Sequence, residues 1–286
     1  MSPDIVWQGI VNGLAAGWIY VLVAVGLALI FSIMGIVQLA HGEIYMLGAY
    51  CTYDLSVQFG LNFWAAMLLS ALGAGILGVI LERFLFRPFR DRFEPCLIIA
   101  IGLILVFQTA AVVGFDTSTK AMPSMISGLL IVWKASLSWD RLVAILAGII
   151  LISAIFLLLR ITKTGQAMIA VSQDAYAASL HGINVDRVSA IAMAVGCALA
   201  AIAGSLMGCI FTIHPYMGNI VLTKGIAVII LGGLGSIAGA VIGGLILGLI
   251  DGLVSVASNA TMATIVSFTM IILVLLFRPR GLFGHD

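Results

Sequence analysis

Apolar residues run through this chain in long blocks separated by short polar joints. Six blocks approach the roughly 20 residues a bilayer-crossing helix needs: 5–34, 63–86, 95–115, 142–159, 188–213 and 261–277. Two regions are less regular. Residues 35–60 carry His41, Glu43 and Asp54, and residues 218–258 are long enough for two passes but are broken by GGLGSIAGAVIGG. The pattern predicts one all-α, polytopic transmembrane domain over residues 1–286. About eight or nine helices fit, with the two irregular regions discontinuous or partly re-entrant.

The main exception to this apolarity is TKTGQAMIAVSQDAYAASLHGINVDR, residues 162–187. Hydrocarbon would leave its Gln166, Gln173, Asp174, Asn184, Asp186 and Arg187 unsatisfied at several kcal/mol per group. The segment is therefore expected outside the bilayer as a short surface helix. Met168, Val171 and Ala175 recur at i, i+3 and i+7 and give it one apolar face. Thr164 suits its N-cap, and His181 and Gly182 suit its last turn and left-handed terminator. Held at both ends between spans, such a helix is a handle on which another protein can push.

Basic residues set an orientation. Arg83, Arg87, Arg90 and Arg92 crowd one joint, Arg160, Lys163 and Arg187 flank another, and Arg278 and Arg280 close the chain. The positive-inside rule makes these joints and the C terminus cytoplasmic. The loop over about residues 116–140 holds only Lys120 and Lys134, and the N-terminal lead holds no basic residue, so both are expected outside. That arrangement requires an odd number of full crossings. Alternating patches such as LLIVWKASLSW allow a small hairpin in the outer loop. The opening MSPDIVWQGI lacks the basic start and cleavage site of a secretory leader, so the first span is expected to be retained.

With 63% hydrophobic and 9% charged residues, the composition lies far from that of a soluble domain. A net charge of +1 gives no basic face for nucleic acid. Cys51, Cys96, Cys197 and Cys209 form no CxxC pair and read as small buried hydrophobes. No Walker A loop, zinc-like ligand spacing or catalytic triad is present, so no cofactor or metal is expected and an enzyme is disfavoured.

The sequence has 32 glycines, and many recur in the spans at close spacing, as at Gly73, Gly75 and Gly78 or Gly243, Gly244, Gly248 and Gly252. Small residues let helix backbones approach closely in lipid. Gly232, Gly233, Gly235 and Ser236 form a denser run, as found where an unwound segment borders a permeation path.

His41 and Glu43, flanking Gly42, are the sharpest polar pair in an apolar block. Ionisable groups at membrane depth suggest a path or gate, and the alternative is a structural pair capping a helix break. Asp54 and Asp251 suit either a polar crevice or an interface. Lys224 reads as an exposed loop lysine, or as a contact for a docked protein or substrate carboxylate. His214 and Pro215 suit the start of a short outer helix. Glu82, Arg83, Arg87, Arg90, Asp91 and Arg92 read as an interfacial anchor, with contact to a partner protein as the second possibility.

GLALIFSIMGIVQLAHGEIYMLGAY, ERFLFRPFR, TGQAMIAVSQDAYAASLHGINV, IILGGLGSIAGAVIGGLILG and FRPRGLFG occur in this order. Together they closely resemble the LivH-type permeases of branched-chain amino acid ABC importers. The resemblance implies a LivM-like second permease subunit, two cytoplasmic ABC ATPase subunits and a periplasmic amino-acid-binding protein, assembled in the lipid bilayer of the bacterial inner membrane. It implies that Thr164, Gly165, Ala170, Asp174, Ala177 and Gly182 belong to a coupling helix seated on an ATPase. Urea and short-amide permeases share the pattern and remain an alternative. An ion-coupled secondary transporter would need a relay from His41, Glu43 and Asp251, and a receptor or structural membrane protein would carry no flux.

Overall fold

The computed structural model describes residues 3–90, 92–123, 128–132, 135–278 and 281–283. Asp91, Lys134 and Arg280 lie outside the described residues. Helix α1 (Pro3–Met34) is followed by α2 (His41–Tyr53), which runs on into a π-helical turn, Asp54–Gln58. Helix α3 (Phe63–Leu81) continues through a π-helical turn, Glu82–Phe86, and a 3-10 turn, Arg87–Phe89. Then come α4 (Phe93–Phe115), the hairpin β1 (Leu129–Val132) and β2 (Ala135–Ser138), α5 (Trp139–Ile161), α6 (Lys163–Gln173) and α7 (Ala175–Leu180). The chain ends with α8 (Val185–Ile210), α9 (Met217–Gly232), α10 (Ile237–Ala257) and α11 (Ala260–Phe277).

Among the described residues, seven helices are long and apolar enough to cross a membrane: α1, α3 with its extension, α4, α5, α8, α10 and α11. The irregular regions become α2 and the α9–α10 pair. In the outer loop, β1 and β2 pair antiparallel with Leu129 opposite Ser138, so the hairpin forms. Lys120 forms a second, isolated antiparallel bridge with Ile213, tying this loop to the α8–α9 connection.

Glycine decides how the bundle closes. Gly9, Gly13 and Gly17 of α1 lie backbone to backbone against Gly244, Gly248 and Gly252 of α10. A Cβ at Gly13, Gly248 or Gly252 would fall within 3.0 Å of the partner backbone and one at Gly9 or Gly17 would be tightly packed, so the fourfold spacing on both helices sets the contact. Helix α8 is the other axis of the core. Its Gly196 meets Gly26 of α1, Ala201 meets Gly48 of α2, Gly204 meets the Tyr45 carbonyl, and Cys197 meets Gly78 of α3. Helices α4 and α11 keep most of their surface outside this core, open to lipid or another subunit.

Two helices begin inside the bundle instead of at its edge. His41 lies beside Gly26, about two turns before α1 ends, and near Gly196 in the body of α8. Gly42, one residue on, touches Gly218 at the start of α9, each glycine lying against the other's carbonyl. Gly35, at φ +65°, reverses the chain after α1 so that residues 36–40 return to this depth.

Candidate translocation and coupling sites

The polar segment predicted outside the bilayer is helical, with two differences from expectation. Its N-cap is Thr162, whose hydroxyl accepts from the Gly165 amide at 2.9 Å; Thr164 lies inside the first turn. Thr162 wins because it is the last extended residue after α5 and its oxygen points along the new helix. The helix is also split. Asp174 adopts an extended conformation and caps α7 by accepting from the Ala177 amide at 2.9 Å, since a carboxylate competes well for free amides at a helix start. Gly182 terminates α7 in the left-handed region at φ +81°, as its position predicts.

Met168 and Val171 are buried against the bundle as expected, but beyond the Asp174 break the buried position is Ala178, and Ala175 is exposed. Gly165 packs on the backbone of Leu158 and Leu159, which fixes α6 to the last turn of α5. On the outward side, Ile169, Tyr176 and Leu180 are exposed, with Ala170 and Ala177 half-buried.

The segment is also wired to the spans by charge. Glu82 is fully buried and binds Arg87 at 2.6 Å and Arg90 at 2.8 Å. Both arginines reach Asp186 in the first turn of α8, at 3.6 and 3.2 Å. Glu82, Arg87 and Arg90 of the predicted anchor thus form an ion network with Asp186, joining the end of α3 to the start of α8, where the polar segment re-enters the bundle. The buried Glu82 carboxylate is held by two arginines, so its charge stays compensated while the network bridges the two helices.

The second candidate site holds His41, Gly42 and Glu43. Glu43 is fully buried; its Oε1 accepts from Gln108 Nε2 of α4 at 2.9 Å, and the same amide donates to Asn219 Oδ1 of α9 at 3.0 Å. Gln108 and Asn219 were not singled out from sequence, although each is a lone amide in an apolar run, the signal by which they were findable.

Gly232, Gly233, Gly235 and Ser236 lie at the other end of α9, about 21 Å along its axis from Gly218. They form the reversal into α10, with Gly233 at φ +104° and Gly235 at φ +83°. Ser236 caps α10 through the Gly239 amide at 3.0 Å. Leu282 and Phe283, beyond α11, donate to the carbonyls of Leu231 and Gly232, so these groups find partners within the chain. The structure does not bring this turn together with Glu43; α9 separates them.

Lys224 and the residues before it also differ from expectation. Lys224 is buried in the middle of α9, where it meets Asp251 of α10 at 2.8 Å, because the helix that begins at Met217 draws it into the bundle and a buried ammonium requires a counter-charge. His214 and Pro215 precede this buried helix, not a short outer one. Asp54 starts the π-helical turn and accepts from Gln58.

Comparison with known proteins places these elements in a family. Residues 9–275 match the family described as branched-chain amino acid transport system, permease component. The chain belongs to this family. The high-affinity branched-chain amino acid transport system permease protein BraD of Pseudomonas aeruginosa is 33% identical, over 97% of this chain and 95% of that protein. LivH of Escherichia coli K12 is 34% identical over 97% and 95%. LivM of the same organism is 24% identical over 98% of this chain and 71% of that protein, so this permease is more similar to the LivH type. A solved structure, PsaBC from Streptococcus pneumoniae in complex with Fab, shares the fold at TM-score 0.53 and 13% identity over 93% of this chain and 90% of that one. The chain is thus a multi-pass membrane permease component and not an enzyme.

Proposed function

We propose that this permease is one of two membrane-spanning subunits of an ATP-driven importer for branched-chain or other aliphatic amino acids in the bacterial inner membrane. What carries this reading is the near full-length likeness to proteins named as high-affinity branched-chain amino acid permeases, at 33–34% identity over 97% of the chain. The second pore subunit is LivM-like, two ABC ATPases hydrolyse ATP on the cytoplasmic side, and a periplasmic amino-acid-binding protein delivers substrate. The relatives' printed names favour amino acids over urea or short amides. An ion relay is disfavoured because Asp251 is engaged by Lys224, Tyr20 and Ser267.

In this reading α6 and α7 couple to an ATPase. Thr164, Gly165, Ala170, Asp174, Ala177 and Gly182 shape the segment, and exposed Ile169, Tyr176 and Leu180 supply the contact. ATP-driven closure of the motor pair moves the segment. Gly165 passes that movement to α5, and the Glu82–Arg87–Arg90–Asp186 network passes it to α3 and α8, rocking the spans between two accessible states. The start of α2 at His41, Gly42 and Glu43 and the glycine turn at 232–236 mark two levels of the route along α9. The N terminus lies outside and the C terminus in the cytoplasm. Affinity purification of the tagged chain from its native membrane tests the assembly: recovery of a second permease and two ATPases is expected, and recovery of the chain alone, active in transport, would contradict it.

A further inference from the structure

We propose that Glu43, Gln108 and Asn219 form a binding site for the backbone of an α-amino acid, with the substrate ammonium held by Glu43 and Asn219. This deepens the amino-acid permease reading and rests on it. The Gln108 amide nitrogen bonds two oxygens at once, Glu43 Oε1 at 2.9 Å and Asn219 Oδ1 at 3.0 Å. A primary ammonium taking its place makes the same two bonds and has a third donor to spare. The third has a ready acceptor: Glu43 Oε2 is buried and has no hydrogen-bond partner among the described residues. A carboxylate oxygen left in that state is costly and calls for an occupant. The carboxyl carbon lies beside the start of α9, 3.1 Å from where a Cβ on Gly218 would stand.

The same place carries a complementary positive pole. Helices α2 and α9 both begin here, with Ala40 and Tyr216 as N-caps, and neither cap bonds through its side chain. Helices α4 and α5 also start without a side-chain cap, at Arg92 and Ser138, so what sets α2 and α9 apart is that their starts meet inside the bundle, where Gly42 and Gly218 touch. The amides of His41, Glu43, Met217 and Asn219 turn back onto the carbonyls of Gln38, Ala40, His214 and Tyr216, so the attraction these starts hold for a carboxylate is that of the two helix dipoles. A carboxylate at one pole and paired helix starts at the other match a zwitterion, and a neutral amide would use neither fully.

The site is also reachable. Asn219 and Thr223, one turn apart on α9, are exposed although they lie within the bundle's depth. Thr223 satisfies its hydroxyl on the Asn219 carbonyl at 2.7 Å, but the exposed Asn219 side-chain amide at that depth calls for a watery route or another subunit. Two turns further along the same face, about 10 Å from Asn219, Ile226 and Ile230 border an apolar cavity of about 210 Å³ with Leu27, Phe31 and Leu234, which an aliphatic side chain would meet later on the route and not while bound at Glu43.

The test is scintillation-proximity binding of radiolabelled leucine to the purified permease–ATPase complex without the binding protein. Unlabelled leucine and 4-methylpentanoate, its analogue without the amino group, serve as competitors. Losing a hydrogen bond to a charged group corresponds to about tenfold or more in affinity. The wild type is expected to prefer leucine by at least that factor. Glu43→Gln and Asn219→Ala are each expected to weaken leucine about tenfold while leaving the analogue unchanged, and Glu43→Asp is expected to retain the preference. Asn219 is exposed, so its variant probes the site without emptying the core. Equal binding of leucine and analogue by the wild type, or unchanged preference in both Glu43→Gln and Asn219→Ala, would overturn the site. Leucine uptake by the complete complex is measured in parallel: if uptake is normal and the site result negative, only this inference fails, whereas absence of uptake removes the permease reading itself.

Discussion

Lys224 Nζ and Asp251 Oδ1 meet at 2.8 Å inside the bundle, joining α9 to α10. The carboxylate is shared: Ser267 of α11 donates to the same oxygen at 2.6 Å, and Tyr20 of α1 donates to the other at 2.9 Å. One carboxylate therefore links four helices. Lys224→Met should strip the charge partner and cost about 3–5 kcal/mol of stability, whereas Lys224→Met with Asp251→Asn, which removes the charge and keeps an acceptor oxygen for Ser267 or Tyr20, should recover part of it. Thermal unfolding of the purified complex in detergent checks this; a single variant as stable as the wild type would show that the pair contributes nothing.

Glycines in the spans should divide sharply by what they touch. Gly248 lies against the backbones of Gly13 and Gly17, while Gly73 has nothing within 4 Å of an added Cβ. Gly248→Leu should separate α1 from α10 and abolish folded yield, and Gly73→Ala should be tolerated within about 0.5 kcal/mol. Size-exclusion profiles of the two variants measure this, and equal yields would refute the close-packing role of α1 and α10.

The spans were legible in sequence because lipid imposes one requirement over some 20 consecutive residues, which even a coarse pattern reports. The polar segment was legible for the converse reason. Two features depend on partners distant in sequence and were not. Lys224 read as a loop residue because Asp251, its counter-charge, stands on another helix. The glycines of α1 drew no notice because their match to Gly244, Gly248 and Gly252 appears only once α1 and α10 are antiparallel neighbours. At the candidate path, His41 and Glu43 stood out as charges in an apolar run, but Gln108 and Asn219 are neutral and acquire meaning only through their shared bond. The split at Asp174 escaped notice because the same residue suits a helix interior turn or a cap, and local hydrogen bonding decides.

Coupling should fail when the polar segment no longer fits its seat. Ala170→Trp and Ala177→Arg place bulk at half-buried positions of α6 and α7. Both variants should insert normally yet lose most substrate-stimulated ATP hydrolysis in the assembled complex. Normal stimulation in both would remove the coupling role.

Orientation is tested by cysteine accessibility. Single cysteines introduced at Arg90 and Gln173 in a cysteine-free background should react with a membrane-impermeant maleimide only from the cytoplasm, and one at Thr119 only from outside. Labelling at Arg90 from outside would invert the topology that the arginines predict.

The most direct measurement is leucine accumulation in proteoliposomes carrying this permease, its second permease subunit, two ATPases and the binding protein. ATP is supplied on the α6–α7 side. Accumulation should require ATP, the binding protein and this chain together, and should be lost when any one is omitted. Leucine transport by this chain alone under an ion gradient, without ATP, would contradict the account.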